Sequence, residues 1–382
     1  MLSVLQVTPA LDAGGVERTT IEVAEAIVQA GGRALVASRG GRLNDELKAV
    51  GGELAPLPMD AKNPLQIWLN AGALVDLARR NGVQLIHARS RAPAWSAYWA
   101  AKRLRLPFVT TYHGIYNART GLKRAYNAIM ARGDIVIANS DYTRAHILTE
   151  HRIDAERIVV IPRGVDVERF DPAAVDANAV ARLRAQWRLD ETPADLTVIL
   201  PARLTPWKGQ RMLLEAAAQI AARRPGLARY VLAGDAQGRD AYVTDLQRLI
   251  AERGLVGRVV IAGHVADMPA AFALSDAAVF PSLEPEAFGR GAIEAQAMGV
   301  PVIAAAHGGL TETVRDGETG FLVPPNDLAA LTDALERLLL LSADARRALG
   351  AAGQARVRAL FTSQALQRAT LNVYDRLLRG PG

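Results

Sequence analysis

The sequence predicts an α/β protein of two successive domains, each a parallel sheet with helices on both faces, the two facing a central cleft. Three observations carry this. Short apolar runs alternate with longer helical patterns along the whole chain, which is the pattern of parallel strands joined by helical crossovers. The alternation lapses once, from about residue 170 to 194. A length of 382 residues suits two domains of ordinary size. Open parallel sheets take ligands outside the carboxyl ends of their strands, so two of them in series imply a cleft.

In the first half, strands are expected at 4–8, 34–38, 54–59, 85–88, 108–112, 135–138 and 158–161, with helices such as 16–30 and 65–80 between them. Asp171-Pro172, an Ala/Asp/Arg-rich helix and Thr192-Pro193 occupy the lapse. They read as a linker over 171–194, between domains at 1–170 and 195–360. Alternation restarts with strands at 197–201, 230–233, 259–262, 277–280, 301–305 and 320–323. Helical segments at 327–341, 343–360 and 363–378 close the chain, the last within a terminal piece at 361–382.

Composition narrows the classes. Cysteine is absent, which excludes disulfides, thiol catalysis and cysteine metal sites, and fits a cytoplasmic protein. The six histidines are scattered without metal-ligand spacing, so no metal site is expected. No run of about 18 uncharged apolar residues is present, and the first residues lack a basic region and a long apolar region, so neither a membrane span nor a signal peptide is expected. The net charge of +6 is uneven: no acidic residue lies between Asp76 and Asp134. That window holds Arg79, Arg80, Arg89, Arg91, Lys102, Arg103, Arg105, Arg119, Lys123, Arg124 and Arg132, interleaved with Trp95, Tyr98, Trp99, Tyr112, Tyr116 and Tyr126. Such a mixture over 79–132 suits an anionic membrane surface, or else a solvated basic face with its aromatics in the core. No nucleic-acid module accompanies the charge, so no nucleic-acid partner is expected.

Several motifs can carry chemistry. Gly14-Gly15 follows the first strand and permits a tight turn and close backbone approach at a helix start, or is merely a turn. Tyr112-His113-Gly114 follows another strand, where a histidine can bond a sugar or be satisfied by backbone. Asn139-Ser140 can cap the helix from Asp141. Arg203 and Lys208 stand five apart in a strand-to-helix loop and can converge on a diphosphate, one as a planar fork and the other as a point charge, or be plain surface cations. Gly234-Asp235 and His264-Val265 each end a strand; the first reads as a glycine turn under a nucleotide, the second as backbone offered to a base. The densest stretch is 281–299. There a strand leads through Glu286 to Phe288-Gly289-Arg290-Gly291 and a helix carrying Glu294. An uncapped helix start attracts an anion, and carboxylates before and beside it can accept hydrogen bonds from sugar hydroxyls.

Taken together, these motifs resemble the retaining GT-B glycosyltransferases of family 4 over nearly the whole length. Gly14-Gly15 is similar to that family's N-terminal glycine loop, Arg203 and Lys208 to its Arg/Lys pair. Glu286 and Glu294, with seven residues between them, are similar to its paired glutamates. Gly308-Gly309 with Glu312 resembles its next glycine loop, and 320–325 its closing strand. Ala202 and the extra carboxylate Glu284 depart from the pattern. The resemblance implies two Rossmann-like domains, the first for the acceptor, with the last helix crossing back onto it. It also implies a nucleoside-diphosphate-sugar donor and no cofactor or metal. Arg203 and Lys208 would hold the diphosphate, Glu286 the donor sugar, Glu294 the ribose, His113 the transferred sugar and His264-Val265 the base. Backbone N–H groups from Phe288 to Gly291 would cradle phosphate or sugar. The acceptor expected with the basic window is a lipid or lipid-linked glycan of a bacterial envelope, met at the inner face of the cell membrane. A nucleotide-sugar epimerase, a glycan phosphorylase and a binding protein that lost catalysis share the architecture and stand as alternatives.

Overall fold

The computed structural model describes residues 1–12, 14–116, 120–191 and 195–380. Ala13 of the glycine loop, Arg119 of the basic window and Thr192-Pro193 lie outside the described residues. The chain forms two compact units.

The first unit comprises Met1–Gly164 and Ser363–Gly382. Its strands are β1 (Ser3–Val7), β2 (Arg33–Ser38), β3 (Glu53–Pro56), β4 (Leu85–Ala88), β5 (Phe108–Tyr112), β6 (Ile135–Ala138) and β7 (Ile158–Val160). They form one parallel sheet in the order β3-β2-β1-β4-β5-β6-β7. β1, β4, β5 and β6 are buried from end to end, because helices cover both faces and no position alternates toward water. β3 stops short of the expected residue 59. Leu57 N–H still donates to Ser38 O at 2.9 Å, but Pro58 has no N–H with which to continue the ladder.

Polar groups are threaded through this unit's core. His87 Nδ1 meets the Tyr374 hydroxyl at 2.6 Å and its Nε2 meets Thr111 Oγ1 at 2.7 Å. Arg89 Nε donates to Gln6 Oε1 at 2.8 Å. Tyr374 belongs to the last helix, Ser363–Arg379, which also anchors through Gln367 Nε2 donating to Glu22 O at 2.8 Å.

The second unit is Val165–Thr362. Its strands are β8 (Leu196–Pro201), β9 (Ala228–Ala233), β10 (Val259–Gly263), β11 (Ala277–Phe280), β12 (Val302–Ala305) and β13 (Gly320–Val323), parallel in the order β10-β9-β8-β11-β12-β13. The expected linker over 171–194 is corrected here. Its described residues are part of this unit, whose boundary is at Gly164 and Val165. Val165 N–H donates to Phe361 O at 2.8 Å. The Phe170 ring lies 6.4 Å from that of Phe272. Trp187 and Leu189 are buried in the same cluster. Asp171 and Asp176 are not linker polarity but caps: each accepts from a backbone N–H at the start of a helical turn. Two apolar side chains after a polar helix were the trace of this packing in the sequence.

Both sheets reverse strand order beside their first strand, between β1 and β4 and between β8 and β11. Within each unit, the loops leaving the carboxyl ends of those two strands are thereby set side by side.

Candidate active site

In the second unit the switch point brings together the loop after β8 and the loop after β11. The first carries Arg203, Lys208 and Gly209, the second Ser282 and Glu286. Gly209 has φ 77°, and a Cβ there would collide with Pro281 O. Glycine is therefore what lets the two backbones touch. Leu283 N–H donates to Trp207 O at 2.7 Å and stitches them.

This contact sets Lys208 Nζ 2.8 Å from Glu286 Oε1, with the side chains only 13% and 12% exposed. Ser282 Oγ donates to the same oxygen at 2.5 Å. The loop after β12 completes the holder. His307 Nε2 lies 2.8 Å from Ser282 O, and Gly309 N–H donates to Glu286 O at 2.8 Å. Gly308, at φ 62°, passes so close to the Glu286 backbone that a Cβ would lie 2.9 Å from its nitrogen. Burial raises the Glu286 carboxyl pKa, but the charge and hydrogen bond of Lys208, the Ser282 hydroxyl and nearby His307 outweigh it and leave it below the ordinary value. Glu286 is thus a held anion. An ammonium has three N–H donors; one goes to Glu286, and the Nζ also lies 4.3 Å from the centre of the Trp207 ring.

Arg203 is exposed. Its Nη1 lies 3.4 Å from Gln237 Oε1, and Gln237 is presented by a turn that Asp235 Oδ1 caps, accepting Gln237 N–H at 2.8 Å. Buried Gln210 donates to Arg203 O at 2.9 Å and accepts from the Tyr242 hydroxyl at 3.1 Å, which fixes the loop from beneath. Gly234 has a packing reason, since a Cβ there would strike Ala202 O.

The helix Arg290–Ala297 begins after Gly289, at φ 92°, with no side chain capping it. Phe288 is buried, its ring 5.7 Å from that of Phe361. A Cβ on Gly291 would press the Phe280 ring at 2.7 Å. Glu294 Oε1 accepts from Arg290 Nε at 2.9 Å, one helical turn away. Glu284 is exposed and outside the holder. His264 is exposed and Val265 half-buried, after the edge strand β10, two places from β8.

In the first unit, Gly14 (φ 143°) precedes the helix Gly15–Gln29, with no side-chain cap. A Cβ on Gly15 would overlap the Arg163 guanidinium. Arg163 Nη2 donates to His113 O at 3.1 Å and to His113 Nδ1 at 3.2 Å. His113 is 8% exposed. Burial first, then Arg163, Arg89 and His87, hold its pKa well below the usual histidine range. Ser140 is the expected cap: its Oγ accepts Thr143 N–H at 3.0 Å. Arg163, Gln210, Ser282, Gln237 and His307 were not anticipated. The available signals were a charged residue between Pro162 and Gly164 and a histidine before Gly308-Gly309.

Comparisons with known proteins bear on the family and the fold. The family model described as Glycosyltransferase Family 4 matches residues 13–169, and that described as Glycosyl transferases group 1 matches residues 195–340. The chain is 34% identical over 304 residues to a GDP-mannose-dependent alpha-(1-6)-phosphatidylinositol monomannoside mannosyltransferase of Mycolicibacterium smegmatis, covering 75% of this chain and 70% of the relative. It is 32% identical to a D-inositol 3-phosphate glycosyltransferase of Salinispora tropica, covering 76% of this chain and 63% of that one. Among solved structures, a glycosyltransferase from Rickettsia africae superposes with a TM-score of 0.89 at 34% identity, over 100% of this chain and 99% of that one. Anabaena HepE in complex with UDP and glucose superposes with a TM-score of 0.86 at 26% identity, over 98% and 100%.

Proposed function

The chain belongs to glycosyltransferase family 4 and has the GT-B fold, and on that premise we propose that it moves a sugar from a nucleoside diphosphate to a lipid-borne hydroxyl with retention of anomeric configuration. The observation that carries the donor assignment is the holder around Lys208 and Glu286, with Arg203 on the same loop. A departing nucleoside diphosphate gathers negative charge, and fixed cations stabilise that charge without reorganising. Arg203 and Lys208 take this role in place of a metal. Glu286 accepts hydrogen bonds from the donor sugar, Glu294 from the ribose, and backbone from Phe288 to Gly291 faces phosphate or sugar. Gly14 and Gly15 are assigned to the donor, Asp235 to the turn beneath the nucleotide, His264 and Val265 to the base and His113 to the transferred sugar. A carboxylate already engaged by an ammonium and a hydroxyl is a poor attacking group, which favours front-face substitution, the leaving phosphate taking the acceptor's proton. UDP and UDP-glucose complexes of HepE support a nucleoside-diphosphate ligand.

The test is a thermal-shift series of nucleoside diphosphates, since a ligand of the native state raises Tm by mass action. One base gives a shift, and Arg203→Ala removes it while leaving the ligand-free Tm unchanged, because the side chain is exposed. An undiminished shift in the variant refutes the assignment.

The acceptor is assigned to the first unit. Relatives named for phosphatidylinositol monomannoside and inositol phosphate favour a polyol phosphate or its lipid. On the helix Pro64–Arg80, Leu65, Trp68 and Leu69 are exposed, Trp68 by 64%, as are Trp99 and Leu122 on the helices that follow. These helices are contiguous: Ser96 Oγ donates to Ile67 O at 2.8 Å, and the Trp95 ring lies 6.4 Å from that of Tyr126. Exposed Lys102, Arg103, Lys123 and Arg124 accompany them. Aromatic and basic groups together suit an anionic lipid surface. Co-sedimentation with phosphatidylglycerol vesicles at low salt is expected, and Trp68→Ser with Leu69→Ser weakens it. No sedimentation of the unaltered protein removes the membrane assignment.

A further inference from the structure

We propose that Arg163 is a positioning residue that holds the His113 imidazole as the neutral tautomer protonated at Nε2, so that His113 serves only as a hydrogen-bond donor to a ligand oxygen. A guanidinium carries donors and no acceptor. Arg163 Nη2 lies 3.2 Å from His113 Nδ1, so Nδ1 presents its lone pair and the ring proton sits on Nε2. The same Nη2 donates to His113 O at 3.1 Å, which fixes the ring relative to its own backbone. Nε2 is buried and has no hydrogen-bond partner among the described residues. A buried donor without a partner is costly, and a ligand hydroxyl or phosphate oxygen meets that need.

The surroundings keep the ring neutral. Burial first, and then Arg163, Arg89 and His87, lower the His113 pKa, and Tyr116 packs at the same turn. The carboxylate of Glu22 acts on Arg89. Gly15 belongs to the device: any side chain there takes the space of the Arg163 guanidinium. The glycine loop, the strand-end histidine and the Pro-Arg-Gly turn are thus one assembly within the first unit. The ligand contact rests on the function proposed above; the tautomer does not.

The test is long-range ¹H–¹⁵N NMR of the full chain with ¹⁵N-labelled histidine, ligand-free, from pH 5.5 to 8, with His113 assigned by loss of its signals in His113→Gln. The unaltered protein is expected to show His113 protonated at Nε2 and unprotonated at Nδ1 throughout. In Arg163→Met, and in Gly15→Ala where Arg163 is displaced, Nδ1 loses its donor and the ring populates both tautomers. Arg163→Lys, which keeps a donor without an acceptor, restores part of the original pattern. A His113 ring protonated at Nδ1, or titrating in the ordinary range in the unaltered protein, overturns the proposal, as do unchanged spectra in Arg163→Met. If the transferase reading fails while the spectra behave as stated, the positioning role stands and only the ligand changes.

Discussion

Lys208→Met is expected to lower kcat/KM by about 10²–10³, the usual loss when one preorganised charge-stabilising donor is removed. The variant also leaves a signature of its own. In the unaltered protein the Glu286 pKa is lowered, so the group contributes stability that is fully present above the ordinary carboxylate pKa and is lost as pH falls through its lower folded value. Without Lys208, burial, the largest influence and one that raises the pKa, faces only Ser282 and His307. The folded pKa then moves above the unfolded one, and the variant is penalised as pH rises through the new value. Losing one partner of a well-buried pair costs about 3–5 kcal/mol before protonation relieves it. The Tm deficit of Lys208→Met is therefore expected to be small near pH 4 and to widen toward pH 8. A deficit independent of pH, or larger in acid, would falsify the account of Glu286 as an anion held by Lys208.

Gly209→Ala is expected to have the largest effect of any single methyl added to the second unit's site. The residue sits at φ 77°, and its Cβ would run into Pro281 O. Left-handed backbone costs a non-glycine residue about 1–2 kcal/mol, and overpacking against an immobile neighbour adds about 1–3 kcal/mol. Relief requires the two loops to part, which breaks the approach of Lys208 to Glu286, so activity falls together with stability. Gly254→Ala is the control. It has φ 65° and nothing within 4 Å of the added carbon, so it loses only the backbone term and keeps activity. Denaturant midpoints and turnover for the pair separate strain from collision; equal losses in the two would show that the loop contact is unimportant.

Much of the architecture was readable from residue order. Short runs rich in apolar and β-branched residues at 85–88, 108–112 and 135–138 mark strands covered on both faces, and they became β4, β5 and β6. The helix after Gly289 and the two glutamates around it were legible because spacing along one local element sets their geometry. The stretch around Trp187 was misread because polarity dominates it locally, while its two apolar side chains are buried in a cluster that also holds Phe170 and Phe272. Arg163 was passed over for the same reason: as a lone arginine after a strand it looks like any surface cation until Gly15 and His113 are beside it.

The sequence alone determined the two parallel sheets, the family and which loops end at strand termini, since these depend on periodicity and on the steric freedom of single residues. Only the tertiary structure decided that Lys208 is held by Glu286, that Arg203 is steadied through Gln237 and Gln210, and that Arg163 sets the tautomer of His113. Lys208 and Glu286 meet across the strand-order reversal between β8 and β11, and Arg163 reaches His113 from 50 residues away; pairwise electrostatics and hydrogen bonds act through distance in space, which one-dimensional spacing does not encode.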